Sequence, residues 1–309
     1  MSAPALRPLG IGEILDASLK IAWRNLGTFA RIVLVVVGPA QILIAIVNIS
    51  AIPDYRPRSS LFSSSGDQTI AGDEVWTYLA ATLTALVIGF LASQFATGAC
   101  FRAVAETYLG HKTGWRSSLA FAARKFHSIL WIVLLGGVLT ILGAFLCVIP
   151  GIYLWVSFAV ALPVLMSEGQ RGRKALGRSR SLVRGRWWKT AILLVVAGIL
   201  STLLSGLVSG AISALSLTGN NPVALFLIAA VAGTAGALIS TPFTAAYHTV
   251  LYFDLRVRKE AFDLRLLASR LGIEPPPDWE PAPAQPGPPT TGSQPPFWPP
   301  PPGWTPEDQ

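Results

Sequence analysis

Charge is what this sequence has least of. Only 13% of its 309 residues are Asp, Glu, Lys or Arg, against roughly 25% in soluble domains. That shortage argues against a water-soluble fold and makes lipid the expected solvent. Cysteine is scarce too. Cys100 and Cys147 lie in separate apolar blocks, toward opposite membrane faces in the topology below. They are expected to stay beyond the ~7 Å that a disulfide needs, and both read as core residues. The three histidines, His111, His127 and His248, share no metal-ligand spacing with one another or with the cysteines. A Gly-rich phosphate loop, a paired-histidine zinc motif and a Gly-x-Ser-x-Gly elbow are all missing. The reading is therefore no catalytic residue, no metal, no cofactor and no enzyme. A cleavable signal peptide is not expected either, because Glu13, Asp16, Lys20 and Arg24 interrupt any early apolar region.

What is present in excess is apolar, 52% of residues, and it comes in long blocks. A bilayer core of ~30 Å needs ~20 mostly apolar helical residues. Six blocks qualify: 29–52, 76–105, 129–148, 152–167, 190–216 and 222–252. The fourth is short, and a tight Pro150-Gly151 turn is expected to join it to the third. No lipid-exposed loop survives within the hydrocarbon, so that turn is placed at the far interface. The fold class is all-α and integral to the membrane.

Orientation follows from the basic residues. Of 24 Lys and Arg, 21 fall in segments 1–28, 101–128 and 168–189 and after the last block. Arg56 and Arg58 stand on the opposite side, in the Ser-rich stretch 53–75. The positive-inside rule then puts both termini in the cytoplasm. Nucleic acid is not an expected partner, because the charge lies between apolar blocks.

The densest basic stretch is Arg171–Lys189. Drawn as a helix, Leu176, Ser179, Val183 and Trp187 share one face, while Arg173, Lys174, Arg178, Arg180, Arg184 and Arg186 fill much of the rest. These six are candidate contacts for anionic lipid headgroups, each basic group near the surface contributing ~1 kcal/mol. An equally weighted reading makes the stretch a topology signal only. A second set is acidic. Glu106, Glu168 and Asp254 end apolar helices, where the macrodipole disfavours them. They are expected to form a structural ion-pair cluster with Arg102, Arg256, Arg258 and Glu260. Asp254 with Arg258, Arg256 with Glu260 and Lys259 with Asp263 are spaced as i,i+4 pairs along a charged exit helix, Tyr252–Leu271. Its stripe of Leu255, Phe262 and Leu266 reads as a solvated helix's weak apolar face or as a docking surface.

Pro39, Pro163 and Pro242 lie within apolar blocks and read as kinks. A weak internal repeat also emerges. Polar stretches precede the first, third and fifth blocks, and the pairs Phe95/Glu106, Phe158/Glu168 and Phe243/Asp254 recur at near-equal spacing. The plan is three units of interfacial helix plus hairpin. The composition changes after Leu271. Residues 275–309 contain 15 prolines and too few aliphatic groups to offset ordering. The expectation is a membrane domain over 1–271 and a disordered Pro-rich tail over 272–309, the latter a candidate protein-docking segment.

Three stretches carry a resemblance. RPLGIGEILDASLKIAWRN (Arg7–Asn25), IPGIYLWVSFAVALPVLMSEG (Ile149–Gly169) running into KALGRSRSLVRGRWW (Lys174–Trp188), and LYFDLRVRKEAFDL (Leu251–Leu264) resemble the glycerophosphoryl diester phosphodiesterase membrane-domain family. This is a group of bacterial polytopic proteins. The likeness covers about residues 5–270. It implies a helical plasma-membrane protein of unassigned role. The phosphodiesterase that names the family is a fused domain, and this chain has neither that domain nor its His-Arg-Gly motif. The 18 Arg against 6 Lys is similar to actinobacterial usage. The functional expectation is a non-enzymatic protein that organises or assists membrane components through its basic helices and tail. Two alternatives stand beside it: a transporter or lipid-handling component with a cavity near Gln94, Asn48 or His248, and the membrane subunit of a complex with a separate catalytic chain.

Overall fold

The computed structural model describes residues 9–51, 72–108, 114–170, 172–218 and 221–260. Every regular element among them is helical: α1 (Ile11–Arg24), α2 (Leu26–Ser50), α3 (Gly72–Tyr108), α4 (Trp115–Leu146), α5 (Val148–Ser157), α6 (Ala161–Glu168), α7 (Arg173–Val183), α8 (Trp187–Ser213) and α9 (Pro222–Glu260), with a 3₁₀ turn at Ala214–Thr218. Six stretches are long and apolar enough to cross a membrane: Leu26–Ser50, Trp76–Tyr108, Trp115–Leu146, Val148–Glu168, Trp187–Ser216 and Val223–Glu260. The chain is an all-α, multi-pass membrane protein.

Local chemistry sets the helix ends. Asn25 separates α1 from α2: its Nδ2 donates to Ile21 O at 3.0 Å, and its carbonyl accepts from Thr28 and Phe29. Gly169, at φ 71°, closes α6 in the left-handed conformation, with its N–H on Leu165 O. Gly185, at φ 91°, turns the chain from α7 into α8. Pro39 and Pro242 sit inside unbroken helices. Pro163 does not: it lies in the first turn of α6, after an interruption at 158–160. Proline has no N–H for the carbonyl of Ala159, and its ring would strike that carbonyl, so the helix stops and restarts.

The connection between the third and fourth blocks differs from expectation. The break is Cys147 alone, extended at φ −169° and ψ 147°. Pro150 and Gly151 are helical, in the first turn of α5, where a missing N–H costs nothing. A Cβ on Gly151 would come within 2.7–2.9 Å of Ala144, so glycine is what lets α4 and α5 pack this closely. Cys147 is exposed at this break and is not a core residue, whereas Cys100 is buried.

α9 is the central helix and touches α1, α2, α3, α6, α7 and α8. The three-unit plan holds only loosely. α1 and α7 are separate amphipathic helices, but the stretch before the third block is the first half of α4 itself. The core gathers at the basic end, around Phe29, Val104, Leu165, Leu182, Tyr252 and Phe253. Tyr108 stacks on Phe253 there, with ring centres 5.0 Å apart.

Candidate functional site

The basic end carries two ion-pair clusters and one exposed cationic face. The first cluster forms where α6, α7 and α9 meet. Arg178 grips Glu168 through Nε at 3.0 and 3.3 Å and Nη2 at 3.2 Å, and its Nη2 also contacts Glu260. Tyr252 donates its hydroxyl to Glu168 at 2.9 Å, and Gln170 donates at 3.1 Å. Arg256 bonds Glu260 at 3.2 Å and Tyr252 at 3.1 Å, and lies 3.7 Å from Glu168. Two guanidinium groups and two carboxylates compensate one another in a half-buried setting. Burial by itself lowers the Arg178 pKa, but the hydrogen bonds and charges of Glu168 and Glu260 prevail and raise it above the usual arginine value.

The second cluster holds a backbone. Asp254, whose side chain is 1% exposed, accepts Arg258 Nε at 2.9 and 3.0 Å and lies 3.9 Å from Lys189. It also accepts the Leu9 N–H at 2.7 Å. The Leu9 carbonyl accepts Lys189 at 2.7 Å and Arg258 at 2.8 Å. Both polar groups of one peptide residue are thus clasped by charged side chains from α8 and α9. Glu13 reaches back to the Gly10 N–H at 2.7 Å and starts α1 directly after the clasp.

Arg102 and Glu106 pair with each other on α3, and Arg102 lies over the Phe121 ring at 4.6 Å. The expected acids and bases therefore divide between sites rather than forming one cluster. Lys259 donates to Ser181 O; Asp263, its expected partner, lies outside the described residues. The exit helix is no solvated arm as far as Glu260: residues 250–255 are all buried, Leu255 among them. Phe262, Leu266 and the Pro-rich tail lie outside the described residues.

The six basic residues of 173–186 also divide. Arg178 is turned inward onto the acids, while Arg173, Lys174, Arg180, Arg184 and Arg186 are exposed. Leu176, Ser179 and Val183 are buried, and Ser179 donates to Ser157 O at 2.8 Å. Trp187 starts α8, stacks on Tyr153 and donates to its carbonyl at 3.3 Å. Arg180 lies over the same Tyr153 ring. Trp188, 75% exposed, stands beside this face. Arg173, Lys174, Glu168, Gly169 and Gln170 line an open depression in it. The Leu9 carbonyl and Gln170 had no sequence signal, since neither residue belongs to a charge pattern.

Of the deeper polar residues, Gln94 reaches only Ser93 at 3.5 Å, and His248 Nδ1 lies 2.9 Å from Thr244 O. His248 packs between Phe101 and Tyr247. Both bond within their own helices. Among the described residues, no group of His, Cys, Asp and Glu is arranged to hold a metal. No family model, curated protein or solved structure matches this chain.

Proposed function

We propose that the protein is a non-enzymatic organiser of a bacterial plasma membrane, with both termini cytoplasmic, that holds anionic lipid headgroups on the basic face of α7 and the start of α8. One observation carries this reading: five exposed cations, Arg173, Lys174, Arg180, Arg184 and Arg186, surround interfacial aromatics, while the nearby acids Glu168 and Glu260 are occupied internally by Arg178 and Arg256. Cations at a membrane surface draw anionic lipid at ~1 kcal/mol each, and tryptophan favours the headgroup level. The three stretches that resemble the glycerophosphoryl diester phosphodiesterase membrane-domain family imply a helical plasma-membrane protein and leave its role unassigned. The Pro-rich tail would supply a protein contact.

The test is native mass spectrometry of the full chain from nanodiscs of mixed phosphatidylglycerol and phosphatidylethanolamine. Replacing the five exposed cations by Gln removes most of the retained phosphatidylglycerol. Unchanged retention would leave the basic stretch as a topology signal. Pull-down with and without residues 275–309 tests the tail, and identical partner sets would remove it from the mechanism.

A further inference from the structure

The hairpin of α4 and α5 has no polar end. Residues 141–152, ILGAFLCVIPGI, include no charged, hydroxyl or amide side chain. Phe145 is 89% and Leu146 85% exposed, and no large apolar side chain among the described residues exceeds them. The far ends of the other helices are different. α2 closes with Asn48 and Ser50, α3 opens on Gly72-Asp73-Glu74, and α8 ends at Ser213 with Asn221 opening α9.

The contacts of this hairpin show how far it reaches. The carbonyl of Ser157 accepts a hydrogen bond from Ser179 of the basic helix α7. From Ser157 to Cys147, at 1.5 Å per residue, is about 15 Å. On the other arm α4 runs about 46 Å in all, but it meets α7 in its last third. A Cβ on Gly136 would touch Leu176 of α7 at 3.4 Å, and Gly136 to Cys147 is about 17 Å. Tyr153, packed against Trp187 and under Arg180 at the basic surface, is only about 9 Å from the tip. By contrast α8, from Trp187 to Ser213, is about 39 Å long. The hydrocarbon core is ~30 Å thick.

We infer that α4 and α5 form a re-entrant hairpin, inserted from the basic side, whose tip ends among the acyl chains near the middle of the bilayer. α2, α3, α8 and α9 cross; the α4–α5 hairpin enters and returns. The count of crossings stays even on either side of the hairpin, so the distribution of basic segments is unaffected. A bare loop would not survive at that depth, but this turn is one residue long. The Cys147 N–H donates to Gly143 O at 3.0 Å, and its carbonyl accepts from Gly151 at 3.4 Å. Pro150 brings no N–H to satisfy. The partner of the exposed tip is lipid chain, and because α5 ends at the basic surface the hairpin occupies one leaflet preferentially. This does not depend on headgroup binding by α7.

Cys147 is a natural reporter, exposed on the fold. The full-length protein, reconstituted in phosphatidylcholine–phosphatidylglycerol vesicles with both native cysteines, is treated with a membrane-impermeant maleimide inside and outside. Labels are located by mass spectrometry. The expected result is loss of labelling at Cys147 in intact vesicles and its recovery in denaturing detergent, while a Ser213→Cys control labels in both. A bimane placed on Cys147 should be quenched more by nitroxide near the acyl-chain terminus than by headgroup nitroxide. Labelling at the control rate, or stronger headgroup quenching, would overturn the inference.

Discussion

Near the basic end Ile14, Phe29, Val104, Leu182 and Phe253 are buried, whereas toward the far ends of the helices Leu43, Ile46, Leu83, Ile199 and Leu207 face outward. The same residue types meet opposite fates. In lipid an apolar side chain gains little by leaving the solvent for a neighbouring helix, because both are hydrocarbon. Packing is worth most where water and polar groups are near. The basic end has both, and there the aromatic stack of Tyr108 on Phe253 and the two ion-pair clusters fix the helices to one another. The far end needs only to be long and apolar.

This contrast is sharpest within one helix. Leu193 and Leu207 are both on α8, 1% and 72% exposed. Leu193→Ala opens space in the packed end and is expected to cost about 3 kcal/mol, read as lost thermal stability in detergent micelles. A loss no larger than that of an exposed leucine would dissolve the distinction between the two ends.

Glu168→Ala comes next. It removes the acceptor for Arg178, Tyr252 and Gln170 together. Breaking a fully buried pair from one side costs about 3 to 5 kcal/mol. The side chain here is 14% exposed and that of Arg178 25%, so screening brings the expected loss to about 2 to 3 kcal/mol. A double-mutant cycle with Arg178→Met should give a coupling above about 0.5 kcal/mol, and additivity would show that the network is ornamental.

Asp254→Asn keeps the shape but removes the charge from between Arg258 and Lys189 and weakens the hold on Leu9. The expected cost is about 2 kcal/mol, together with faster proteolysis near Leu9-Gly10. Unchanged cleavage would mean that the clasp does not restrain the segment.

Sequence patterns anticipated these sites unevenly, for physical reasons. Arg258 with Asp254 and Arg256 with Glu260 were legible because helical spacing alone puts i and i+4 together. Arg178 was visible as charge but not as an inward side chain. Its ten-residue separation from Glu168 crosses Gly169 and Gly172, both at positive φ, and only that turn decides which way the helix faces. The clasp on Leu9 was invisible, since a backbone carbonyl carries no residue signature. The helix break at 158–160 was half visible: Pro163 marked a disturbance, but whether proline kinks or stops a helix depends on what can satisfy the freed carbonyl.

Thr190→Val has the opposite sign. Thr190 is 1% exposed, and its Oγ1 has no hydrogen-bond partner among the described residues. Removing an unsatisfied buried hydroxyl at nearly constant volume is expected to stabilise by about 1 kcal/mol. A fall in melting temperature would mean that the hydroxyl has a partner, such as water, and that the packed end is less dry than its apolar lining suggests.

Leu207→Ala is expected to do least. The side chain meets lipid in the folded protein and would still meet lipid after the helices separate, so the truncation changes both states alike. Its effect on unfolding should stay within about 0.5 kcal/mol, well under a third of that of the same change at Leu193. What remains is insertion itself, to which a leucine contributes about 0.5 kcal/mol, a difference seen in yield and not in melting. A melting loss approaching that of Leu193→Ala would show that the far end packs against something, and the outward-facing leucines of α8 would then mark a contact with another membrane helix.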